Sequence, residues 1–138
     1  MIMKYFGSVV DFTQARNADI MRVFRQKIAE VDVIRMPEIC RAIAEAPSSR
    51  FWVSEQRAAN VIAAMEAGRP MPLMTASKRD MFMEIYRRYK LLRPKHPNMS
   101  LIALATMIVH QPAPKFYFTP RTIEEFICRI RNGYYDRK

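Results

Sequence analysis

Apolar residues in this chain recur mostly at helical spacing. Ile20, Phe24 and Ile28 stand four apart, Val23 and Val31 complete their stripe, and Arg16, Arg22, Arg25 and Lys27 lie largely off it. That period predicts a helix from about Thr13 to Glu30. Pro37, a good first helical residue, opens a short second helix that runs to Ala46, with Ile39, Cys40 and Ile43 on one face. Pro47 to Arg50 breaks it. Ser54 is a natural N-cap for a third helix ending at Gly68, with Ala58, Val61, Ile62 and Met65 as its buried stripe. The order then repeats. A helix from Ser77 to about Leu92 carries Met81, Phe82, Ile85, Tyr89 and Leu92 on one face, and Pro94 to Asn98 form a loop. Ser100 caps a short helix that is apolar on every side, the mark of a core helix. Thr119 caps the last one, with Pro120 at its first position, Gly133 after its end, and Ile123, Phe126, Ile127 and Ile130 as its stripe.

The repetition extends to residue identity. Pro47 to Met65 returns 65 residues later as Pro112 to Ile130, each copy leading from proline through a basic residue, Phe, an aromatic and an apolar residue to a hydroxyl residue. The same offset aligns Asp19-Ile-Met-Arg22 with Glu84-Ile-Tyr-Arg87, Phe24-Arg25 with Tyr89-Lys90, Ile43 with Ile108 and Gly68 with Gly133. We read this as a duplication. Two copies are too few for a solenoid, so a paired, pseudo-symmetric bundle is expected. The predicted fold is all-α: two tandem three-helix, helix-turn-helix-like units over 13–68 and 77–133, with short extended segments before the third helices. A linker over 69–76, stiffened by two prolines, joins them. Residues 1–12 are set apart as an N-terminal arm, with a short strand as the open alternative, and 134–138 as a loose tail. Alternation along the extended segments would bury Phe51, Val53, Phe116 and Phe118 and leave Trp52 and Tyr117 half exposed.

Composition adds a partner class. Half of the 138 residues are apolar, enough for a real core. The formal net charge is +10, which suits a polyanionic partner but says nothing of fold. Residues 1–68 hold nine Lys/Arg against eight Asp/Glu, whereas 69–138 hold fourteen against five, so the copies are expected to divide their labour. Cys40 and Cys128 belong to no CxxC, and the two histidines supply no zinc spacing; both thiols are expected to be reduced. No apolar run approaches the ~20 residues of a membrane span, and the amino terminus lacks a signal-peptide core. A cytoplasmic protein with no membrane partner is expected.

Catalytic chemistry finds no foothold. His96 lies in a proline-bounded loop and His110 at the end of a buried helix, and Glu124 and Glu125, as sequence neighbours on a helix, do not face each other. There is no Gly-rich phosphate loop and no metal motif. A non-enzymatic protein is expected, with no catalytic residue, cofactor or metal. The aromatic triplets beside Arg50 and Lys115 either stack bases, as in single-strand binders, or knit their loops onto the helices. The third helices point more clearly to nucleic acid. Two helices, a turn and a Ser/Thr-capped helix are the order of a helix-turn-helix module, although Pro47 to Val53 is longer than its usual turn. With the apolar stripe inward, Gln56, Arg57 and Asn60 face outward, and these side chains match base edges in the major groove. The second copy offers Arg121, Thr122 and Glu125 there, a poorer set in which Arg121 is the candidate contact. Arg79, Arg87 and Lys90 fall within about one quarter of a helical wheel, opposite Ile85 and Leu92, as a phosphate-binding face would. The expected function is nucleic-acid binding, with duplex DNA first in line, the first unit reading and the second gripping. The alternative is a protein–protein adaptor that docks on acidic partners.

The segments Arg50 to Glu55 and Lys115 to Pro120 carry a basic-Phe-aromatic-apolar-Ser/Thr signature. It resembles that of a group of small uncharacterised bacterial proteins, some from mobile elements, with Trp52 where Tyr is usual. The resemblance covers both units and implies no established activity.

Overall fold

The computed structural model describes residues 9–136. They form six α-helices: α1 (Val9–Ala29), α2 (Met36–Ala44), α3 (Glu55–Glu66), α4 (Ala76–Leu92), α5 (Leu101–Val109) and α6 (Pro120–Arg131). A 3₁₀ turn over Arg93–Lys95 prolongs α4, and another over Tyr134–Asp136 follows α6. The fold is all-α. No strand forms among the described residues at 51–53 or 116–118; the β-type pairing there is one antiparallel bridge between Ser48 and Ala113.

The 65-residue offset governs the elements. It carries the bounds of α2 (36 and 44) onto those of α5 (101 and 109), and the bounds of α3 (55 and 66) onto those of α6 (120 and 131). Local chemistry explains the match. Ser54 Oγ accepts the Arg57 N–H and Thr119 Oγ1 accepts the Thr122 N–H, each cap contributing about 1 kcal/mol. Gly68 and Gly133 take positive φ (75° and 73°) just past the two helix ends, a conformation that glycine adopts without steric cost. α1 departs from the offset. It begins at Val9, so residues 9–12, expected in an arm, are its first turn. The remainder of that arm, 1–8, lies outside the described residues.

Helix grouping does not follow chain order. One compact unit (unit 1) takes the chain up to Ala46 together with the chain from Pro114 onward; the other (unit 2) takes Pro47–Ala113. In unit 1, α6 packs on α1 and α2, which pack on each other. In unit 2, α3 packs on α4 and α5, which pack on each other. Contiguous units over 13–68 and 77–133 were expected. Instead each half of the sequence keeps its first two helices and lends its third to the other half. Two connections carry the exchange, 45–54 and 110–119.

The cores are counterparts. Unit 1 buries Ile20, Ile39, Ile43, Phe116, Ile123 and Ile127; unit 2 buries Ile85, Leu104, Ile108, Phe51, Ala58 and Ile62. Burying each Phe or Ile contributes roughly 1.5–3 kcal/mol. Where the connections enter unit 2, Ser48 and Ala113 exchange both N–H···O bonds at 3.0 Å, a pairing between equivalent places of the two copies. Phe51 N–H then donates to Val109 O at 2.9 Å.

Trp52 and Tyr117, expected half exposed, are 7% and 8% exposed. Strand alternation does not apply to them, because both triplets are irregular turns. Tyr117 sits at φ 62°, a left-handed conformation that costs a non-glycine residue roughly 1 kcal/mol or more. Basic neighbours cover both rings: Arg50 lies 5.0 Å from the Trp52 ring and Lys115 Nζ 6.0 Å from the Tyr117 ring. Phe118 is partly exposed and meets Phe126 edge-on at 5.2 Å. The expected loose tail is ordered as far as Asp136: within unit 1, Arg16 Nη2 donates to Tyr135 Oη at 3.3 Å and the Arg16 guanidinium lies 3.8 Å over Phe126.

Candidate nucleic-acid interface

Helix exchange decides which candidate residues share a surface. α3 comes from the first copy and α4 from the second, yet both belong to unit 2. Gln56, Arg57 and Asn60 on α3 and Arg79, Arg87 and Lys90 on α4 are all exposed there. A first unit that reads and a second that grips were expected; the exchange gathers both residue sets into one unit. Arg121, on α6, stays in unit 1, where it approaches Glu125 at 3.8 Å.

On α3, Gln56 Nε2 donates to Asn60 Oδ1 at 2.9 Å, which holds the two amide side chains in one orientation. Arg57 leans towards α4, its guanidinium 5.7 Å from the Phe82 ring centroid. Tyr86 Oη of α4 donates to Glu66 Oε2 of α3 at 2.6 Å, a second tie between the helices. Arg57, Asn60 and Arg69 also border a cavity of about 80 Å³ floored by Val61, Ala64 and Met65 and walled by Met71 and Pro72. Sequence reasoning missed Arg69, since the linker carries no periodicity to place it.

α4 turns Phe82, Ile85 and Tyr89 inward. Its cations are not equivalent. Arg87 donates from Nε and Nη2 to Glu84 at 2.9 and 2.7 Å, while Arg88 Nε reaches the same carboxylate at 2.8 Å. The hydrogen bond from Arg87, joined by that from Arg88 and opposed by partial burial, pulls the Glu84 carboxyl down to about 2. Arg88 has a structural task besides: Nη1 donates to Gln111 Oε1 at 3.1 Å and to Pro112 O at 3.0 Å, and the guanidinium lies 4.8 Å over Phe51. Arg93 is likewise engaged, its Nη1 donating to Met99 O at 2.6 Å. Lys90 Nζ lies 4.9 Å over the Tyr86 ring. Arg79, Arg87 and Lys90 are exposed on α4, as is Lys78, with Arg87 already paired to Glu84.

His110 Nε2 sits 2.7 Å from Glu55 Oε2, joining the end of α5 to the start of α3 inside unit 2. Burial raises the Glu55 carboxyl pKa, but its own backbone N–H, His110 and Arg50 outweigh that and hold it below the usual range. Burial pushes the Cys40 thiol up to about 11, while Cys128 is exposed. In the aromatic triplets Phe51, Trp52, Phe116 and Tyr117 are buried and turn no ring face to solvent, while Phe118 is partly exposed. Among the described residues no cluster of His, Cys, Asp or Glu is arranged to hold a metal ion, and no helix is long and apolar enough to cross a membrane. The helix-turn-helix expectation meets a difference of connection: residues 45–54 carry the chain from α2 in unit 1 into α3 in unit 2, so these consecutive helices do not share a compact unit.

Comparison with family models, with curated proteins and with solved structures gives no match for this chain.

Proposed function

We propose that the protein binds nucleic acid without catalysing a reaction, that duplex DNA is its first candidate ligand, and that unit 2 carries the contact. The observation behind this reading is the gathering of Gln56, Arg57 and Asn60 with Arg79, Arg87 and Lys90 on two packed helices. In the exchanged arrangement α4, α5 and α3 supply the helix order of a helix-turn-helix module, the third helix coming from the other copy. α3 then acts as the reading helix, its amides and guanidinium directed at base edges. α4 grips the phosphates. The charge is consistent with this: unit 2 holds ten Lys/Arg against four Asp/Glu, and unit 1 thirteen against nine.

A gel-shift titration at several salt concentrations tests the reading. Affinity should fall as salt rises, with a log–log slope of ~0.9 per phosphate contact. Arg87→Glu with Lys90→Glu should weaken binding to every sequence and flatten that slope. Gln56→Ala, Arg57→Ala and Asn60→Ala together should instead erode discrimination between sequences and leave the slope nearer its original value, since phosphate contacts position and base contacts specify. No shift at low salt with either DNA or RNA would end the nucleic-acid reading and put the acidic-partner adaptor in its place.

A further inference from the structure

The chain has two cysteines, and helix exchange brings both into unit 1. Cys40 comes from the first half of the sequence, on α2. Cys128 comes from the second half, on α6, and these two helices pack on each other. The 65-residue offset gives the pair a counterpart. Cys40 corresponds to Ala105 on α5 and Cys128 to Ala63 on α3, and α3 packs on α5 as α6 packs on α2. The same pair of positions therefore holds two cysteines in unit 1 and two alanines in unit 2.

Electrostatics identifies the edge of α6 that Cys40 meets. Glu124 and Cys128 both act on its thiol, and they stand four residues apart, on one side of the helix. The matching edge of α3 is Ala59 and Ala63. Side chains this small let two helix axes come close. A disulfide needs such closeness, with Cα atoms about 4.4–6.8 Å apart. Packing asks for sulfur at neither position, since alanine serves at both in unit 2. Nor does burial account for the pair: Cys40 is 0% exposed, but Cys128 is exposed and has no core to fill. Two cysteines at partnered positions have a chemistry that neither has alone.

We propose that Cys40 and Cys128, free thiols in this structure, close into a reversible intramolecular disulfide when they meet a small disulfide oxidant, and that the bond fastens α6 to α2. Exposed Cys128 reacts first. Its thiolate attacks the oxidant, a mixed disulfide forms as the oxidant's own S–S bond breaks, and one small thiolate leaves. Cys40 then attacks Cys128 Sγ. The bond between the two cysteines forms, the mixed disulfide breaks, and a second small thiolate leaves. Each departing thiolate takes up the proton that its attacker gave up. Two protein thiols are oxidised and one oxidant disulfide is reduced to two small thiols. Burial, with Glu124 and Cys128 adding to it, holds the Cys40 thiol up at about 11, so the second step is the slow one. The closed bond spans a loop that contains all of unit 2. Constraining so long a loop in the unfolded chain favours the folded one. The helix that the second half lends to the first is then held covalently as well as by packing.

The test is the full chain incubated with oxidised glutathione and read by intact mass without reductant, by peptide mapping and by thermal melt. Wild type should lose two hydrogens in mass, yield a peptide linked through Cys40 and Cys128, and melt on the order of 10 °C higher, all reversed by a thiol reductant. Cys128→Ala puts the unit 2 residue at an exposed position. It should melt like reduced wild type and change neither mass nor melt on oxidation. Cys40→Ala should stop at one glutathione on Cys128. Wild type that also stops there, or that links Cys128 to Cys128 of a second copy, overturns the pair. A closed bond with an unchanged melt overturns the fastening. The pair stands apart from the nucleic-acid reading, and no outcome here bears on it.

Discussion

Val23 of unit 1 and Arg88 of unit 2 hold the same place in the two copies, 65 residues apart, and do different work. Val23 is buried in its core. Arg88 binds Glu84 on its own helix, reaches Gln111 and Pro112 beyond it, and covers Phe51. The carboxylate that anchors it recurs too: Asp19 takes Arg22 at 2.6 Å in unit 1, and Glu84 takes both Arg87 and Arg88 in unit 2. The frame is shared, in helix bounds, caps, terminal glycines and core. The polar wiring laid on it is not. Two similar frames can therefore differ at their charged positions while their packing stays alike.

Two expectations probe that contrast, the larger first. Phe51 and Phe116 are 0% and 1% exposed and anchor opposite units. Truncation to Ala should cost ~3–5 kcal/mol in each case. Phe51→Ala should cost the more, because it also removes the ring under Arg88, a contact worth roughly 0.5–1 kcal/mol. Thermal melts of the two variants check this; one that melts like wild type would break the equivalence of the anchors.

The smaller effect concerns the wiring. The Glu84 carboxyl lies well below its usual 4.5, at about 2, so its ion pairs add stability that is present above pH 4.5 and lost as pH falls towards 2. Glu84→Gln should lower stability by about 1 kcal/mol near neutral pH, and the gap from wild type should close on acidification. Denaturant melts at a series of pH values measure it. A gap that ignores pH would show that shape, not charge, is what position 84 supplies.

The helices were legible in the sequence because apolar period and caps agree. Ser100, Thr119 and Ser54 each sit next to the first residue of the helix they were expected to open. The pairing of helices was not legible. The stripes of α3 and α6, Ala58 with Ile62 and Ile123 with Ile127, are so alike that either suits either pair of first helices, and periodicity records which face is buried without recording against what. The charge contrast between sequence halves, +1 against +9, misled for the same reason. Divided by compact unit it becomes +4 against +6. Burial of Trp52 and Tyr117 was missed because an alternation rule for strands was applied to turns.

The proposed interface requires α3 to pack in unit 2. Methyl NOE spectroscopy on isoleucine- and leucine-labelled protein examines this contact by contact. The exchanged arrangement predicts that Ile62 of α3 reports on α5, through Leu104 and Ile108, and that Ile127 of α6 reports on α2, through Ile39 and Ile43. A spectrum in which Ile62 reports on Ile39 and Ile43 and not on α5 would contradict the exchange and return the residues proposed to read and to grip to separate units.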